Sequence, residues 1–330
     1  MSEHRTQAFR RNELLEGLLS ELGDDLQAAE RALADRYEQA AMPHPVILLM
    51  GPLRSGTTLF MQWLANTGLV SYPTNLLSRF YRAPIVGAKI QLLLTDPAYN
   101  FRNELGEFGA QGGYDSENGK TRGALAPNEF WHFWRRFLSE SDRDVWSNEE
   151  LARSMDTRSM LAELKGVMAV LRKPFAAKGL LFNYNIPFLD SILEKALFVQ
   201  LTREPIANVA SVLEARKRQL GSISAWYSFK IPEYEQLRGL DPVMQAAGQV
   251  HYINKAVRAG MSALSEEHSM RVSYEEFCAD PGKVFRELCE KLGVDSSAYH
   301  GPAHFEASRH DLRGTEPEMR RAVDYFLEAQ

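Results

Sequence analysis

The sequence has little cysteine and no long apolar run, and each absence excludes a class of protein. Its 330 residues include only Cys278 and Cys289. Two cysteines are too few for a disulfide framework, and with no His or Cys cluster beside them they make a poor metal site. We expect two buried thiols in a reducing compartment. The most apolar windows, residues 45–50 and 196–201, are far too short to cross a bilayer, and the N-terminal residues show no signal peptide. We therefore expect a cytoplasmic protein without an integral membrane segment.

The sequence also has no excess of positive charge. Its formal net charge is −5 at pH 7, which provides no overall attraction to nucleic acid, so we expect no nucleic-acid partner. Any anion-binding site must therefore be local. Apolar residues make up 45% of the chain, which is enough for the core of one large domain or two small ones.

A glycine-containing turn lies between an apolar run and a helix-like segment. Residues 45–50 are typical of a strand, residues 51–58 (GPLRSGTT) of a turn, and residues 59–65 of a helix start. This order points backbone N–H groups and the positive end of a helix dipole at one place, which suits phosphate or sulfate. The spacing matches the nucleotide-binding P-loop, except that Thr57 replaces the lysine that an ATPase or GTPase needs. Arg54 supplies the positive charge instead, so we expect a phosphate-like ligand without ATP hydrolysis.

Strands and helices alternate along the chain. Strands are predicted at residues 45–50, 68–72, 178–182, 196–202 and 270–274. Helices are predicted at residues 9–40, 76–94, 128–138, 148–171, 187–193, 205–218, 242–266 and 281–292, the first of them as one helix or as two divided at Gly23. Alternation of this kind indicates a central parallel sheet flanked by helices, a three-layer α/β fold.

The same pattern suggests how the chain is divided. We assign residues 1–41 to an N-terminal helical extension and residues 42–330 to the main domain. Residues 95–140 are rich in loops, and a loop region of this length in a compact domain is typical of a lid or binding insertion. The N-terminal helical segment leaves room for a homodimer.

A second candidate anion site follows the strand at residues 196–202. Arg203 comes directly after it, and Ser211 follows eight residues later in the next helix. Arginine offers a rigid fork of donors that suits a phosphate. At the carboxyl ends of parallel strands, these groups would face the same crevice as the glycine turn. The alternative for Arg203 is a surface ion pair with Glu204.

Taken together, these signals resemble the sulfotransferases that use 3′-phosphoadenosine 5′-phosphosulfate (PAPS). The 5′-phosphosulfate loop of that family resembles residues 52–58, with one extra residue between Pro52 and Arg54. Its 3′-phosphate element, a strand ending in R-[DE]-P with a serine eight residues after the arginine, resembles residues 198–205 through Ser211.

A third element of the family resembles residues 272–275, which include Tyr274, with the Asp-Pro pair at residues 280–281. The three elements occur in the family's order and span residues 45–290. The resemblance is closer to bacterial sulfotransferases, which often modify glycans, than to the cytosolic enzymes of animals. It implies a P-loop-like fold, PAPS as co-substrate, no metal, and a hydroxyl of a glycan or small molecule as acceptor.

The resemblance also implies roles for individual residues. Arg54 would stabilise the charge on the leaving oxygen, and Arg203 with Ser211 would bind the 3′-phosphate. The amides of residues 55–58 and the hydroxyls of two threonines would bind the 5′-phosphate. The complete predicted set that contacts the donor is Arg54, Ser55, Gly56, Thr57, Thr58, Arg203, Ser211 and Tyr274.

The general base is not fixed by the resemblance. Many family members place Glu or His shortly after the second strand, but residues 72–79 contain neither. The candidates lie further on: Glu117, Glu129 and His132. Glu129 and His132 are three residues apart at the start of a predicted helix and would share one face.

Further residues could contact an acceptor, and two other functions remain open. Lys120, Arg122, Arg135 and Arg136 add positive charge near the base candidates, and Trp226, Tyr227 and Tyr234 could form a platform for a sugar ring. The alternatives to a sulfotransferase are a P-loop kinase or NTPase, disfavoured by the missing lysine, and a nucleotide-binding module that has lost its base.

Overall fold

A central sheet of four parallel strands organises the computed structural model. The structure describes residues 5–10, 12–102, 104–106, 113–114, 116–117, 120–139, 144–296, 299–308 and 315–328. The strands are β1 (Val46–Met50), β2 (Ser116–Glu117), β3 (Lys120–Thr121), β4 (Phe175–Lys178), β5 (Ala196–Thr202) and β6 (Ser269–Ser273). The sheet has the order β4-β1-β5-β6, and β2 and β3 form a separate antiparallel pair. The central parallel sheet predicted from the sequence is confirmed.

Helices cover both faces of this sheet. They are α1 (Glu13–Ala34), α2 (Thr57–Asn66), α3 (Pro84–Thr95), α4 (Trp131–Arg135), α5 (Asn148–Ser154), α6 (Thr157–Leu171), α7 (Ile186–Ile192), α8 (Pro205–Leu220), α9 (Tyr234–Leu237), α10 (Pro242–Ser262), α11 (Tyr274–Ala279), α12 (Pro281–Leu292) and α13 (Glu316–Glu328). Short 3₁₀ turns occur at Gln7–Phe9, Leu77–Phe80 and Leu180–Phe182. No helix in the described part of the chain is both long and apolar enough to cross a membrane.

The three layers follow from side-chain alternation along β1. Val46 and Leu48 belong to one buried apolar cluster, which includes residues of α6, α7, α8 and α10. Ile47 and Leu49 belong to a second cluster on the opposite face, which includes residues of α2, α11 and α12. Successive strand residues point to opposite faces of a sheet, so an apolar run such as β1 requires cover on both sides.

Two predicted strands are wrong in place or extent. Of residues 68–72, only Ser71 pairs, through a single parallel bridge to Phe175. Pro73 follows with no backbone N–H, so a longer ladder cannot form there. The strand predicted at residues 178–182 instead ends at its first residue, Lys178, and a 3₁₀ turn follows it.

Several predicted helices also differ from the structure, and the one at residues 76–94 is divided between the 3₁₀ turn Leu77–Phe80 and α3. α1 runs without interruption through Gly23, where a Cβ would lie 2.6 Å from the Cδ of Arg82, so this glycine permits close packing. The segment at residues 148–171 is divided between α5 and α6, because the Asp156 side chain accepts a hydrogen bond from the Ser159 N–H and begins a new helix. The aromatic segment at residues 128–138 is helical only in α4, since Phe130 has φ +55°.

α1 packs against the rest of the chain at α3. The buried Glu30 carboxylate accepts hydrogen bonds from the backbone N–H groups of Ile85 and Val86, at 2.8 and 3.0 Å. Burial raises the pKa of Glu30, and these two hydrogen bonds oppose that rise. Our division of the chain at residue 41 stays a prediction.

Candidate active site

The turn after β1 adopts backbone conformations and close contacts that require glycine at two positions. Gly51 has φ +145°, and a Cβ there would collide with the carbonyl oxygen of Leu201 on β5. Gly56 has φ +96°, and a Cβ there would collide with the ring of Tyr274. Arg54 also adopts a positive φ, of 62°, a conformation that non-glycine residues adopt rarely and mainly where the surroundings enforce it. The turn is therefore a specified loop that leads into the N-terminus of α2.

Buried side chains brace this loop from neighbouring elements. The Asn183 amide group both accepts from the Gly51 N–H, at 3.0 Å, and donates to the Gly51 carbonyl, at 2.8 Å. Asn208 on α8 donates to the Leu53 carbonyl at 2.8 Å. Sequence analysis missed both asparagines, because their partners are more than 130 residues away and no local pattern marks them.

Arg203 is buried beside the loop and is not a surface residue. Only 8% of it is exposed. It donates hydrogen bonds to the Arg54 carbonyl and the Ser308 carbonyl, both at 3.1 Å, and its guanidinium lies 4.7 Å from the centre of the Tyr274 ring. Glu204 does not pair with it in the described contacts but caps α8, accepting from two backbone N–H groups at 2.6 and 3.0 Å.

The electrostatics around Arg203 favour an anion. Burial lowers the pKa of its guanidinium, Tyr274 offsets part of this, and the neighbouring Arg54 lowers the pKa further. Two close guanidinium groups repel each other, so a negatively charged ligand between them would be stabilised. Ser211 connects the two predicted anion sites, because its hydroxyl accepts a hydrogen bond from Arg54 Nε at 3.2 Å.

Lys178 is a buried cation that sequence analysis did not select. It ends β4, and its Nζ donates to Thr58 Oγ1 at 2.8 Å and pairs with Glu129 Oε1 at 3.1 Å. Only 4% of the Lys178 side chain is exposed, against 45% of the Glu129 side chain. A lysine at the carboxyl end of a parallel strand was the available signal, but misplacing the strand concealed it.

Most of these residues line one cavity. We call it the P-loop cavity; its volume is about 170 Å³. Of the predicted site residues, its wall includes Arg54, Gly56, Thr57, Thr58, Glu129, Arg203 and Tyr274. Ser55 is fully buried, and its hydroxyl lies near Gly51 beneath the loop. Ser211 reaches the site through its hydrogen bond to Arg54.

A second cavity adjoins the first. This outer cavity has a volume of about 510 Å³. Residues that line both cavities are Glu129, Trp131, Tyr227, Ser228 and Phe229. The outer cavity is also lined by Arg5, Asn75, Lys120, Thr121, Pro127, Asn128, His132 and Gln219. A small molecule in the outer cavity would therefore have access to the P-loop cavity at Glu129.

The three base candidates are placed differently. Glu129 lines both cavities, whereas His132 lines only the outer one and packs its ring 5.3 Å from that of Tyr81. They do not share a helix face, because Glu129 precedes α4 and the left-handed Phe130 lies between it and the helix. Glu117 lies in β2, and its side chain lies outside the described residues.

Other residues proposed for acceptor contact are also distributed unequally. Tyr227 lines both cavities, whereas Trp226 and Tyr234 pack edge-to-face on each other at 4.7 Å between ring centres. Arg135 pairs with Asp144, and Arg136 pairs with Glu163. Burial lowers the pKa of Arg136 to about 10. These two arginines therefore have structural partners.

Comparison with known proteins gives a family match. The sequence profile described as the sulfotransferase family matches residues 45–298. No curated protein matches the chain in sequence.

Two solved structures are similar in fold. The crystal structure of sulfotransferase STF9 from Mycobacterium avium has a TM-score of 0.60 and 16% identity, over 100% of this chain and 88% of that one. Sulfotransferase STF1 from Mycobacterium tuberculosis H37Rv has a TM-score of 0.52 and 13% identity, over 92% of this chain and 81% of that one. At these identities the similarity shows a common fold.

Proposed function

Because the chain belongs to the sulfotransferase family of PAPS-dependent enzymes, we propose that the P-loop cavity binds the donor and the outer cavity binds a hydroxyl acceptor. One observation carries this proposal. Arg203, Arg54 and the loop residues Gly56 to Thr58 line a single cavity that opens to Glu129. This shared cavity supports binding of a single ligand by the two predicted anion sites.

The size of the P-loop cavity limits which part of the donor it takes. Whole-ligand pockets usually have volumes of about 300–1,000 Å³, and this cavity has about 170 Å³. We therefore assign it the phosphosulfate and the 3′-phosphate, and not the adenine. The amides at the start of α2 and the hydroxyls of Thr57 and Thr58 would bind the 5′-phosphate. Arg203 would bind the 3′-phosphate as a donor fork, with Ser211 and Tyr274 completing this side.

Charge stabilisation at the reacting end would come from Lys178 and Arg54. Lys178 Nζ lies beside Thr58 and Glu129, so its charge is close to the loop and to the candidate base at once. Arg54 is bonded to Ser211 and would connect the two phosphate-binding regions. Because these cations supply the positive charge, the proposed reaction needs no metal.

Glu129 is the base that we propose. It is placed to take the proton of an acceptor hydroxyl, because it lies where the two cavities meet. As that oxygen forms its bond to sulfur, the bond between sulfur and the 5′-phosphate oxygen breaks, and the electron pair stays on that phosphate. Donors already in position lower the barrier to such a group transfer.

For the acceptor we propose a hydroxyl compound small enough for the outer cavity. Its volume is in the usual range for small-ligand sites. Its wall combines the aromatic rings of Trp131, Tyr227 and Phe229 with the amide side chains of Asn75 and Asn128. Rings with nearby amides suit a carbohydrate, which remains our preferred class.

The experiment is transfer of labelled sulfate from PAPS to candidate hydroxyl compounds. Arg54→Ala and Arg203→Ala should both abolish transfer. Glu129→Gln should lower the rate about 100-fold or more, while His132→Gln should change it by less than about threefold, since His132 lines only the outer cavity.

Three outcomes would contradict the proposal. They are transfer at the wild-type rate in either arginine variant, failure of adenosine 3′,5′-bisphosphate (PAP) to bind, or magnesium-dependent ATP turnover. A larger loss in His132→Gln than in Glu129→Gln would reassign the base to His132.

A further inference from the structure

An N-terminal strap, residues 5–10, lies across the edge of the outer cavity. The Thr6 N–H donates to the Gln219 carbonyl at 2.9 Å, and the Thr6 hydroxyl donates to the Arg218 carbonyl at 3.1 Å. Both partners belong to the last turn of α8. Phe9 is buried, with 6% exposure. The strap therefore has a defined position, and its first described residue, Arg5, lines the outer cavity.

Lys120, from β3, meets the strap on the same cavity wall. Its Nζ lies 5.0 Å from the centre of the Phe9 ring. Burial lowers the pKa of Lys120, and the charge of Arg5 lowers it further, while Glu129 raises it. Within the described part of the chain, neither Arg5 nor Lys120 forms an ion pair with a carboxylate. Two cations thus line one cavity, and neither forms an ion pair in the described part of the chain.

The outer cavity is positive although the whole chain is negative. The charged side chains on its wall are Arg5, Lys120 and Glu129, and Glu129 is already paired with Lys178. Arg5 and Lys120 line the outer cavity and not the P-loop cavity, whereas Glu129 lines both. Arg5 and Lys120 therefore add positive charge to the outer cavity and not to the P-loop cavity.

We propose that the acceptor carries a carboxylate, phosphate or sulfate group, which Arg5 and Lys120 bind while its hydroxyl faces Glu129. The inference rests on the proposed function and adds an acceptor class to it. Arginine and lysine beside each other bind such anions through charge-assisted hydrogen bonds. Trp131, Tyr227 and Phe229 add aromatic surface to the same cavity wall, which suits a ring in the acceptor.

Two probes that differ only in charge provide the test. 4-Hydroxybenzoate has a hydroxyl and a carboxylate at opposite ends of one ring, and 4-hydroxybenzamide replaces the carboxylate with a neutral amide. Their binding to the PAP-saturated full chain would be measured by isothermal titration calorimetry. We expect the carboxylate to bind at least about tenfold more tightly, the factor that one charge-assisted hydrogen bond provides.

Variants assign that preference to the two cations. In Arg5→Gln/Lys120→Gln the two probes should bind within about twofold of each other, and Arg5→Lys/Lys120→Arg should restore the preference. Arg122→Gln is the matched control, because Arg122 is exposed in the same loop and does not line the cavity. It should keep the wild-type preference.

The inference is overturned if the wild-type chain does not favour the carboxylate, including by binding neither probe, or if the preference survives in the double glutamine variant. Failure of the proposed function would be recognised separately. In that case PAP itself would not bind, a result that the acceptor probes cannot produce.

Discussion

The P-loop cavity and the outer cavity are built in different ways. The P-loop cavity is formed at the ends of β1, β4 and β5. Arg203 on its wall is buried and hydrogen-bonded, as are Lys178 and Ser211, which bond to the wall residues Thr58 and Arg54. The outer cavity is formed by the strap, by the loop segment at residues 120–132 and by residues 227–229. Its cations, Arg5 and Lys120, remain partly in solvent.

The difference indicates where variation is tolerated. A donor site on strand ends inherits its geometry from the sheet, so a side chain cannot move without disturbing the core. Loop segments can change length and side chains at small cost. We therefore expect changes in the P-loop cavity to remove activity altogether, and changes in the outer cavity to alter acceptor choice.

The largest effect is expected at Lys178. Lys178→Met keeps an apolar stem but removes the charge beside Thr58 and Glu129, and the transfer rate should fall about 1,000-fold, as for loss of a preorganised group that stabilises developing charge. The rate would be measured in single turnovers with labelled PAPS. PAP affinity should remain within about threefold of wild type.

Lys173→Met is the control for Lys178. Lys173 is exposed and donates to the Gly68 carbonyl at 2.6 Å, away from both cavities. The Lys173→Met variant should transfer sulfate at the wild-type rate. An equal loss of transfer rate in Lys178→Met and Lys173→Met would show that the contacts of Lys178 are structural and not catalytic.

A smaller effect, measured as nucleotide affinity and not as transfer rate, is expected at Arg203. Arg203→Ala should lower the affinity for PAP about 100-fold relative to that for adenosine 5′-phosphate, which lacks the 3′-phosphate. This factor corresponds to two charge-assisted hydrogen bonds of about 1.5 kcal/mol each. Calorimetric titration of both nucleotides measures the ratio of the two affinities. Arg218 is an exposed arginine at the end of α8, and Arg218→Ala should leave this ratio unchanged. Parallel loss of both affinities would place the 3′-phosphate elsewhere.

The smallest effect is expected on unfolding free energy, in a comparison of two glycines, one from each loop region. Gly56 and Gly123 both have positive φ, of 96° and 105°, but a Cβ at Gly56 would collide with Tyr274, whereas nothing lies within 4 Å of one at Gly123. Both alanine variants should lose about 1 kcal/mol of unfolding free energy to backbone strain. Gly56→Ala should lose a further amount of about 1 kcal/mol or more to overpacking.

Urea denaturation measures this difference between the glycine variants. Similar losses of unfolding free energy in both would show that the loop at the P-loop cavity is no more tightly packed than the loop at residues 120–132. In that case the two cavities would not differ in how tightly their loops are packed.

Much of the donor site could be predicted from local sequence. The loop at residues 51–58 and the pair formed by Arg203 and Ser211 are read from short patterns, because a phosphate site of this type consists of consecutive backbone amides and residues at strand ends. The structure brings these elements together, although Ser55 is buried beneath the loop and Ser211 reaches the cavity only through its hydrogen bond to Arg54.

The remaining parts of the site had no local pattern. Lys178 was hidden because small residues precede it and β4 was placed three residues too late. Asn183 and Asn208 brace the loop across distances in sequence that no periodicity spans. Glu129 was the first of three candidates from the sequence, and only the structure shows that it lines both cavities whereas His132 lines one.

The sequence by itself determined the order of strands and helices, the family and the anion-binding loop, because these depend on apolar periodicity and on residues adjacent along the chain. Only the tertiary structure decided which cations share a cavity, which carboxylate lines both cavities, and that the N-terminal strap reaches the outer cavity. Those relations depend on packing between segments far apart in the sequence, where contact follows from how buried surfaces fit and not from spacing in the chain.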